Sequence, residues 1–153
     1  MKAILVGFGF IGRNLIKAIW RKIDILNEEA KGFKLVGVAD IDGYAYNDEG
    51  LNLERLSKLN KISEYPEFHE EGSSTQLIEE CEADLMIEAT PTNIKDGEPG
   101  LTHIRKALER GMNVVTSNKG PMVVAFKELT NLARSMGAEL KYEATVAGAL
   151  PVF

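Results

Sequence analysis

The chain is poor in the residues that staple or metallate small proteins. Among its 153 residues are one cysteine, Cys81, and two histidines, His69 and His103. A single cysteine excludes an internal disulfide and any cysteine-cluster zinc site, and it fits a reducing cytoplasm. Cys81 also lies between Glu80 and Glu82. Neighbouring negative charge raises a thiol pKa, which argues against a nucleophile. The two histidines are too far apart in sequence to suggest a metal pair, and both are expected to be structural or exposed. There is no excess of basic residues: the formal net charge is -5. A nucleic-acid partner, which asks for a basic stripe, is therefore not expected. No apolar run approaches the ~18–20 residues of a membrane span. Nor does the start look like a leader, since glycines follow Lys2 after only a short apolar stretch. Repeats and low-complexity linkers are absent. What remains is 44% apolar and 27% charged residues, an ordinary balance for one domain with its own core.

The most informative segment is residues 2–12, KAILVGFGFIG. An almost continuously apolar strand over 2–7 reads as buried on both faces. It runs into Gly7, Gly9 and Gly12, the spacing of a dinucleotide-binding turn. Gly7 permits the tight turn, Gly9 the close approach of a pyrophosphate, and Gly12 the packing of helix on sheet. Phosphates would sit on the free N–H groups of that helix, held by Gly7, Gly9, Phe10, Ile11 and Gly12. Arg13 either meets phosphate or faces solvent. A glycine-rich turn in some other α/β protein is the plain alternative.

Periodicity predicts a long helix over 10–29, with Ile11, Leu15, Ala18, Ile19, Ile23 and Leu26 as its apolar stripe. A strand follows over 34–40. Further strands are expected at 83–89, 112–116 and 138–143, and helices at 51–59, 75–80, 101–109 and 123–135. Residues 41–72 otherwise read as surface connection. Strands alternating with helices predict a Rossmann-type α/β fold with a doubly wound parallel sheet. Ligands of such sheets bind beyond the carboxyl ends of the strands. The loops at 7–12, 40–43, 90–93, 117–121 and 144–151 all fall there.

Asp40, at the end of the second strand, is placed to accept hydrogen bonds from the adenosine ribose and to disfavour a 2′-phosphate, which leans towards NAD over NADP. It lies further from Gly12 than the usual ~20 residues because the first helix is long. A turn-forming aspartate is the alternative. Thr90, Pro91, Thr92 and Asn93 could line the ribose and nicotinamide, or form an ordinary turn. Ser117 and Asn118 belong to the same cofactor side. Lys119, in the loop Ser117–Pro121, could hold a substrate carboxylate or hydroxyl and share in proton transfer. Glu143 enters an apolar segment, where an acid binds a charged partner or orders a loop.

Three segments carry a resemblance. VGFGFIGR at 6–13, TSNKGP at 116–121 and YEATVAGALP at 142–151, together with ADIDG at 39–43, closely resemble the cofactor domain of homoserine dehydrogenases. The similarity runs over essentially the whole chain, and the third segment is its most specific part. The resemblance implies NAD(P)-dependent interconversion of L-homoserine and L-aspartate 4-semialdehyde, on the route to threonine, methionine and isoleucine. It implies that Lys119 lies beside substrate and nicotinamide, as a catalytic or substrate-positioning lysine. It gives Glu143 a loop-ordering, substrate-side role. In some relatives a monovalent cation is held by the positions matching Glu143, Val146, Ala147 and Gly148; here Ala149 stands where many relatives have a second glycine. Family chains are about twice this length. The expectation is therefore a cofactor domain over 1–143, truncated before a substrate and dimerisation domain, with 144–153 starting the connection. The parent would be a cytoplasmic homodimer, and this piece alone would bind cofactor weakly and turn over little. Two alternatives stay open. One is another amino-acid or semialdehyde oxidoreductase, although an aspartate-semialdehyde dehydrogenase would need a catalytic cysteine. The other is a dinucleotide-sensing domain, which has no need of Lys119.

Overall fold

The computed structural model describes residues 1–146. Strand β1 (Lys2–Val6) leads through the glycine turn into α1 (Phe10–Arg21) and α2 (Ile23–Glu29), then β2 (Lys34–Asp40) and β3 (Gly43–Tyr46). Helix α3 (Leu53–Lys58), a 3-10 turn at Ile62–Glu64 and the short strand β4 (Phe68–His69) come next. The second half runs α4 (Ser74–Glu80), β5 (Leu85–Glu88), α5 (Gly100–Glu109), β6 (Asn113–Thr116), α6 (Lys119–Met136) and β7 (Leu140–Lys141). The seven strands form one sheet in the order β4-β3-β2-β1-β5-β6-β7. From β2 to β7 across β1 every pair is parallel. The Rossmann-type doubly wound arrangement expected from the sequence is therefore present.

Both faces of the sheet carry a core. Strand β1 shows why, because its side chains alternate between the two. Ala3 and Leu5 pack with Ile16 and Ile19 of α1 and Leu56 of α3. Ile4 and Val6 pack with Leu77 and Ile78 of α4, Ile104 and Leu108 of α5 and Leu129 of α6. Burying each such side chain stabilises the fold by roughly 1.5–3 kcal/mol.

Four local readings need correction. The helix expected over 10–29 is two helices meeting at Lys22, whose φ of -117° leaves helical geometry. The buried face of α1 is Gly12, Ile16 and Ile19 rather than a stripe beginning at Ile11, which is 53% exposed. Residues 41–72 contain β3 and β4, both antiparallel, so the sheet is mixed at that edge. The chain reverses after Asp40, with Gly43 at φ +139° opening the return strand. The last strand is two residues long rather than six, and Glu143 lies beyond it in a 3-10 turn, Glu143–Thr145.

Candidate functional site: a crevice at the carboxyl edge of the sheet

The chain leaves β1 towards β2 on one side, while β5 lies on the other. Above that switch point the carboxyl-end loops separate and leave a crevice. Its floor is the glycine turn. Gly7 sits at φ +105° and donates its N–H to Ala39 O at 2.8 Å. A Cβ on Gly7 would lie 2.6 Å from the carbonyl carbon of Ala89, and one on Gly12 only 2.0 Å from the carbonyl oxygen of Gly7. Both positions therefore exclude a side chain on packing grounds alone.

Gly9 is different. Among the described residues a Cβ there would meet nothing within 4 Å, so none of them demands glycine. Gly9 is the N-cap of α1, with no side chain capping the helix. The first-turn N–H groups of a helix have no intrahelical acceptors, and together with the helix dipole they favour an anion. The open cradle above Gly9 and the uncapped turn fit a pyrophosphate. Phe10 and Ile11 flank the cradle, 78% and 53% exposed. The Arg13 guanidinium spans from the cradle to the segment after α3: its Nε donates to Gly9 O at 3.4 Å, and its Nη1 donates to Asn60 Oδ1 at 3.3 Å and to Asn60 O at 3.4 Å. That tie joins α1 to the segment after α3.

On the β2 side, Asp40 is half-buried and accepts the N–H of Ile41 at 3.0 Å. It opens onto a cavity of about 600 Å³ between the end of β2, the start of α4 and the loop after β5. Thr90, Pro91, Thr92 and Asn93 line it together with exposed Pro99 and buried His103. The lining contains no lysine or arginine, while Asp40 and Glu98 are both acidic.

On the β5–β6 side the organiser is Glu88, fully buried at the end of β5. Its Oε1 accepts the N–H of Thr90 at 3.0 Å and the Thr90 hydroxyl, and its Oε2 accepts the Thr116 hydroxyl at 3.0 Å. Burial pushes the Glu88 carboxyl above its ordinary range, opposed by hydrogen bonds from Thr90, Thr116 and Asn118. Asn118 continues the network. Its N–H donates to Thr116 Oγ1 at 3.0 Å, and its side-chain amide donates to Thr90 Oγ1 at 3.2 Å and Pro91 O at 3.3 Å. Its Oδ1 accepts the N–H of Gly120 at 3.0 Å and so caps α6. Lys119 is consequently the first residue of a helix rather than part of a loop, and its side chain is exposed. Gly120 abuts the facing loop, where a Cβ would lie 2.3 Å from Asn93 O.

Of the expected site residues, the glycine turn, Asp40, Thr90–Thr92, Ser117, Asn118 and Lys119 all gather along this edge. Glu143 follows β7, next to β6 in the sheet, and is exposed, as is Val146. Ala147 and Gly148 lie outside the described residues. Among the described residues no group of three or more His, Cys, Asp or Glu side chains could hold a metal ion. No described helix is long and apolar enough to cross a membrane. Cys81 is buried, and burial rather than its acidic neighbours raises its pKa, with Arg110 opposing. Sequence reasoning missed Glu88 and His103. The alternating strand around Glu88 hinted at burial, but only the fold brings Thr116 beneath it.

A glycine turn at an uncapped helix start, an acid at the end of β2 and a crevice at the switch point define a Rossmann-type dinucleotide-binding domain. The family described as "Homoserine dehydrogenase, NAD binding domain" matches residues 7–143, and the chain belongs to that family of NAD(P)-binding domains. It is 40% identical over 156 residues to a homoserine dehydrogenase of Methanocaldococcus jannaschii, covering 99% of this chain and 46% of the relative. It is 38% identical to an NAD(+)-dependent homoserine dehydrogenase of Pseudomonas canavaninivorans, covering 99% of this chain and 45% of that protein. The crystal structure of homoserine dehydrogenase from Thermoplasma acidophilum superposes with a TM-score of 0.75 at 32% identity, covering 100% of this chain and 46% of that one. A hyperthermophilic archaeal homoserine dehydrogenase in complex with NADPH gives 0.73 at 26% identity, over 95% of this chain and 44% of that chain. The chain thus spans less than half the length of these relatives.

Proposed function

We propose that this chain is the cofactor half of an NAD(P)-dependent homoserine dehydrogenase, which interconverts L-homoserine and L-aspartate 4-semialdehyde. The observation that carries this is the family match across residues 7–143, reinforced by relatives of that name aligned over nearly the whole chain. Residues 1–143 form the cofactor domain, and 144–153 lead towards a substrate and dimerisation part of a homodimeric parent.

When bound, the dinucleotide supplies the hydride acceptor or donor at its nicotinamide C4. The chain's own residues bind and orient it. Backbone groups of Gly7, Gly9, Phe10, Ile11 and Gly12 hold the pyrophosphate, and Asp40 takes the adenosine ribose. Thr90, Pro91, Thr92, Ser117 and Asn118 shape the nicotinamide side. Glu88 holds Thr90 and Asn118 in place from beneath. Arg13 stands beside the glycine turn, bonded to Gly9 O and to Asn60, where its charge faces the phosphates. Asp40 and the cation-free cavity lining favour NAD over NADP, because a 2′-phosphate there would meet carboxylates. Lys119 projects from the start of α6 as an exposed ammonium. Its role is to hold the substrate oxygen and share in its proton transfer. Glu143 orders the substrate-side segment. With Val146, Ala147 and Gly148 it provides the oxygen-bearing positions for a monovalent cation.

The test is turnover of L-homoserine by the full-length gene product with NAD+ and with NADP+. Oxidation is expected, faster with NAD+ at equal concentration. Lys119→Met should lower turnover by at least about 100-fold, the lower range for a positioned acid–base group, with NADH binding retained. Absence of homoserine oxidation with either cofactor would overturn the reading.

A further inference from the structure

Glu88 is fully buried, yet none of the ion pairs among the described residues includes it. A buried carboxylate without a cation is costly unless hydrogen bonds take the cation's place. The direction of each bond around Glu88 is forced. The Asn118 N–H can only donate, so Thr116 Oγ1 accepts it at 3.0 Å. The Thr116 hydroxyl proton is left for Glu88 Oε2, at 3.0 Å. The Gly120 N–H likewise fixes the Asn118 amide. Its Oδ1 accepts that N–H at 3.0 Å, so its Nδ2 faces Pro91 O at 3.3 Å and Thr90 Oγ1 at 3.2 Å. The Thr90 hydroxyl proton is then left for Glu88 Oε1, which also takes the Thr90 N–H at 3.0 Å. Three donors converge on one carboxyl group, the pattern that an ionised Glu88 completes.

The network ends on both sides of Lys119. Asn118 is 1% exposed and closed over by Gly100, where a Cβ would lie 2.6 Å from Asn118 Nδ2. Gly120 is seated against Asn93 with no room for a Cβ. The backbone before and after Lys119 is therefore fixed, while its side chain is exposed. We infer that Glu88 is a positioning residue for the reaction: through the Thr116 hydroxyl and Asn118 it fixes the first turn of α6, and so the place from which Lys119 meets substrate. This rests on the homoserine dehydrogenase reading and on the role of Lys119 in it. Through its other oxygen the same carboxylate holds Thr90, so one buried group sets the lysine against the loop that shapes the nicotinamide side. Glu88 and Thr116 are both fully buried and act only through their neighbours.

The experiment is steady-state homoserine oxidation by the full-length gene product with NAD+, for wild type, Thr116→Val, Thr116→Ser and Glu88→Gln, each alone and combined with Lys119→Met. Thr116→Val keeps the shape and cuts the link. Its kcat should fall about 10- to 100-fold, the scale of a small misplacement of a reacting group, with the KM for NAD+ unchanged. Thr116→Ser returns the hydroxyl and should restore kcat. In Glu88→Gln the amide oxygen must face the Thr90 N–H, which leaves an amino group towards Thr116; kcat should fall as in Thr116→Val. Combined with Lys119→Met, none of these changes should lower the remaining turnover further, because their effect runs through that lysine. Hydrogen exchange reads the link without turnover. The Gly120 amide should exchange about 3- to 10-fold faster in Thr116→Val, the worth of one neutral hydrogen bond. The Leu51 amide, bonded to Leu35 O at 2.8 Å, should keep its rate. Should Thr116→Val fail to fold, Glu88→Gln decides by the same readouts. Unchanged kcat in Thr116→Val and Glu88→Gln, or an undiminished loss in the Lys119→Met background, would overturn the inference alone. Absence of homoserine oxidation by the wild type would overturn the reading on which it rests.

Discussion

The carboxylate of Glu88 accepts the hydroxyl of Thr116 at 3.0 Å across the β5–β6 pair, in a place where neither residue reaches solvent. These two side chains sit opposite each other in the sheet register. Around them the loop after β5 and the start of α6 are held together. The bond therefore links two of the walls that a bound dinucleotide would touch.

Replacing Glu88 tests that link. Glu88→Ala leaves the Thr90 amide and the Thr116 hydroxyl short of an acceptor and should destabilise the fold by about 1–3 kcal/mol. Denaturant unfolding measures it. The pH dependence has a defined sign. The Glu88 pKa is raised in the folded state, so the folded chain keeps this proton to higher pH than the unfolded chain. Stability from this group declines as pH rises from the ordinary carboxylate value through the raised one. That decline should be absent in Glu88→Gln.

The glycines separate folding from binding. Gly12→Ala drives a Cβ against the backbone of Gly7 and should cost roughly 1–3 kcal/mol or more, with NADH binding lost. Gly9→Ala adds a Cβ that meets no atom of the described residues within 4 Å. Its stability should be unchanged or raised by up to about 1 kcal/mol, while NADH affinity falls at least ~10-fold, equivalent to about 1.4 kcal/mol. Thermal melts and NADH titrations on the same two proteins check both halves. Equal binding by Gly9→Ala and wild type would show that no phosphate approaches that cradle.

Asp40 governs the choice between dinucleotides. Asp40→Ser removes the carboxylate that repels a 2′-phosphate, and the NADPH-to-NADH affinity ratio should rise by at least ~10-fold, about 1.4 kcal/mol. Competition titrations read the ratio directly. An unchanged ratio would reduce Asp40 to a turn residue, bonded to the amide of Ile41.

Acidification should expose His103. Burial lowers its pKa, with Glu98 acting in the opposite direction. The unfolded chain therefore takes up this proton first as pH falls below the ordinary histidine value of ~6.5. Stability drops from there towards the lower folded-state value. Urea unfolding between about pH 7 and pH 5 should show the drop in wild type, and His103→Phe should flatten it.

Much of this was readable along the chain because local signals agreed with one another. The strand before Gly7, the glycine spacing and the helix after it each point to the same turn, and Asp40 follows from its position at a strand end. What was hidden depended on distant residues. Glu88 looked like an ordinary end-of-strand acid, since only the parallel register with β6 brings Thr116 and Asn118 to it. Lys119 read as a loop residue because Gly120 and Pro121 follow it. Yet proline is welcome in the first turn of a helix, and Asn118 caps that turn. Asp42-Gly43 before Tyr44-Ala45-Tyr46 carries a hairpin signal, but the polar residues that follow mask the antiparallel edge as surface. The exposure of Phe10 and Ile11 shows that the buried face of α1 begins at Gly12, where the helix meets Gly7 and Leu5.

The most direct single test is a fluorescence titration of the chain with NADH and NADPH, followed by displacement with ADP-ribose. The account predicts saturable binding of NADH, tighter than NADPH, with ADP-ribose displacing it. Failure of either dinucleotide to bind saturably would contradict a cofactor site built from the glycine turn and the crevice above it.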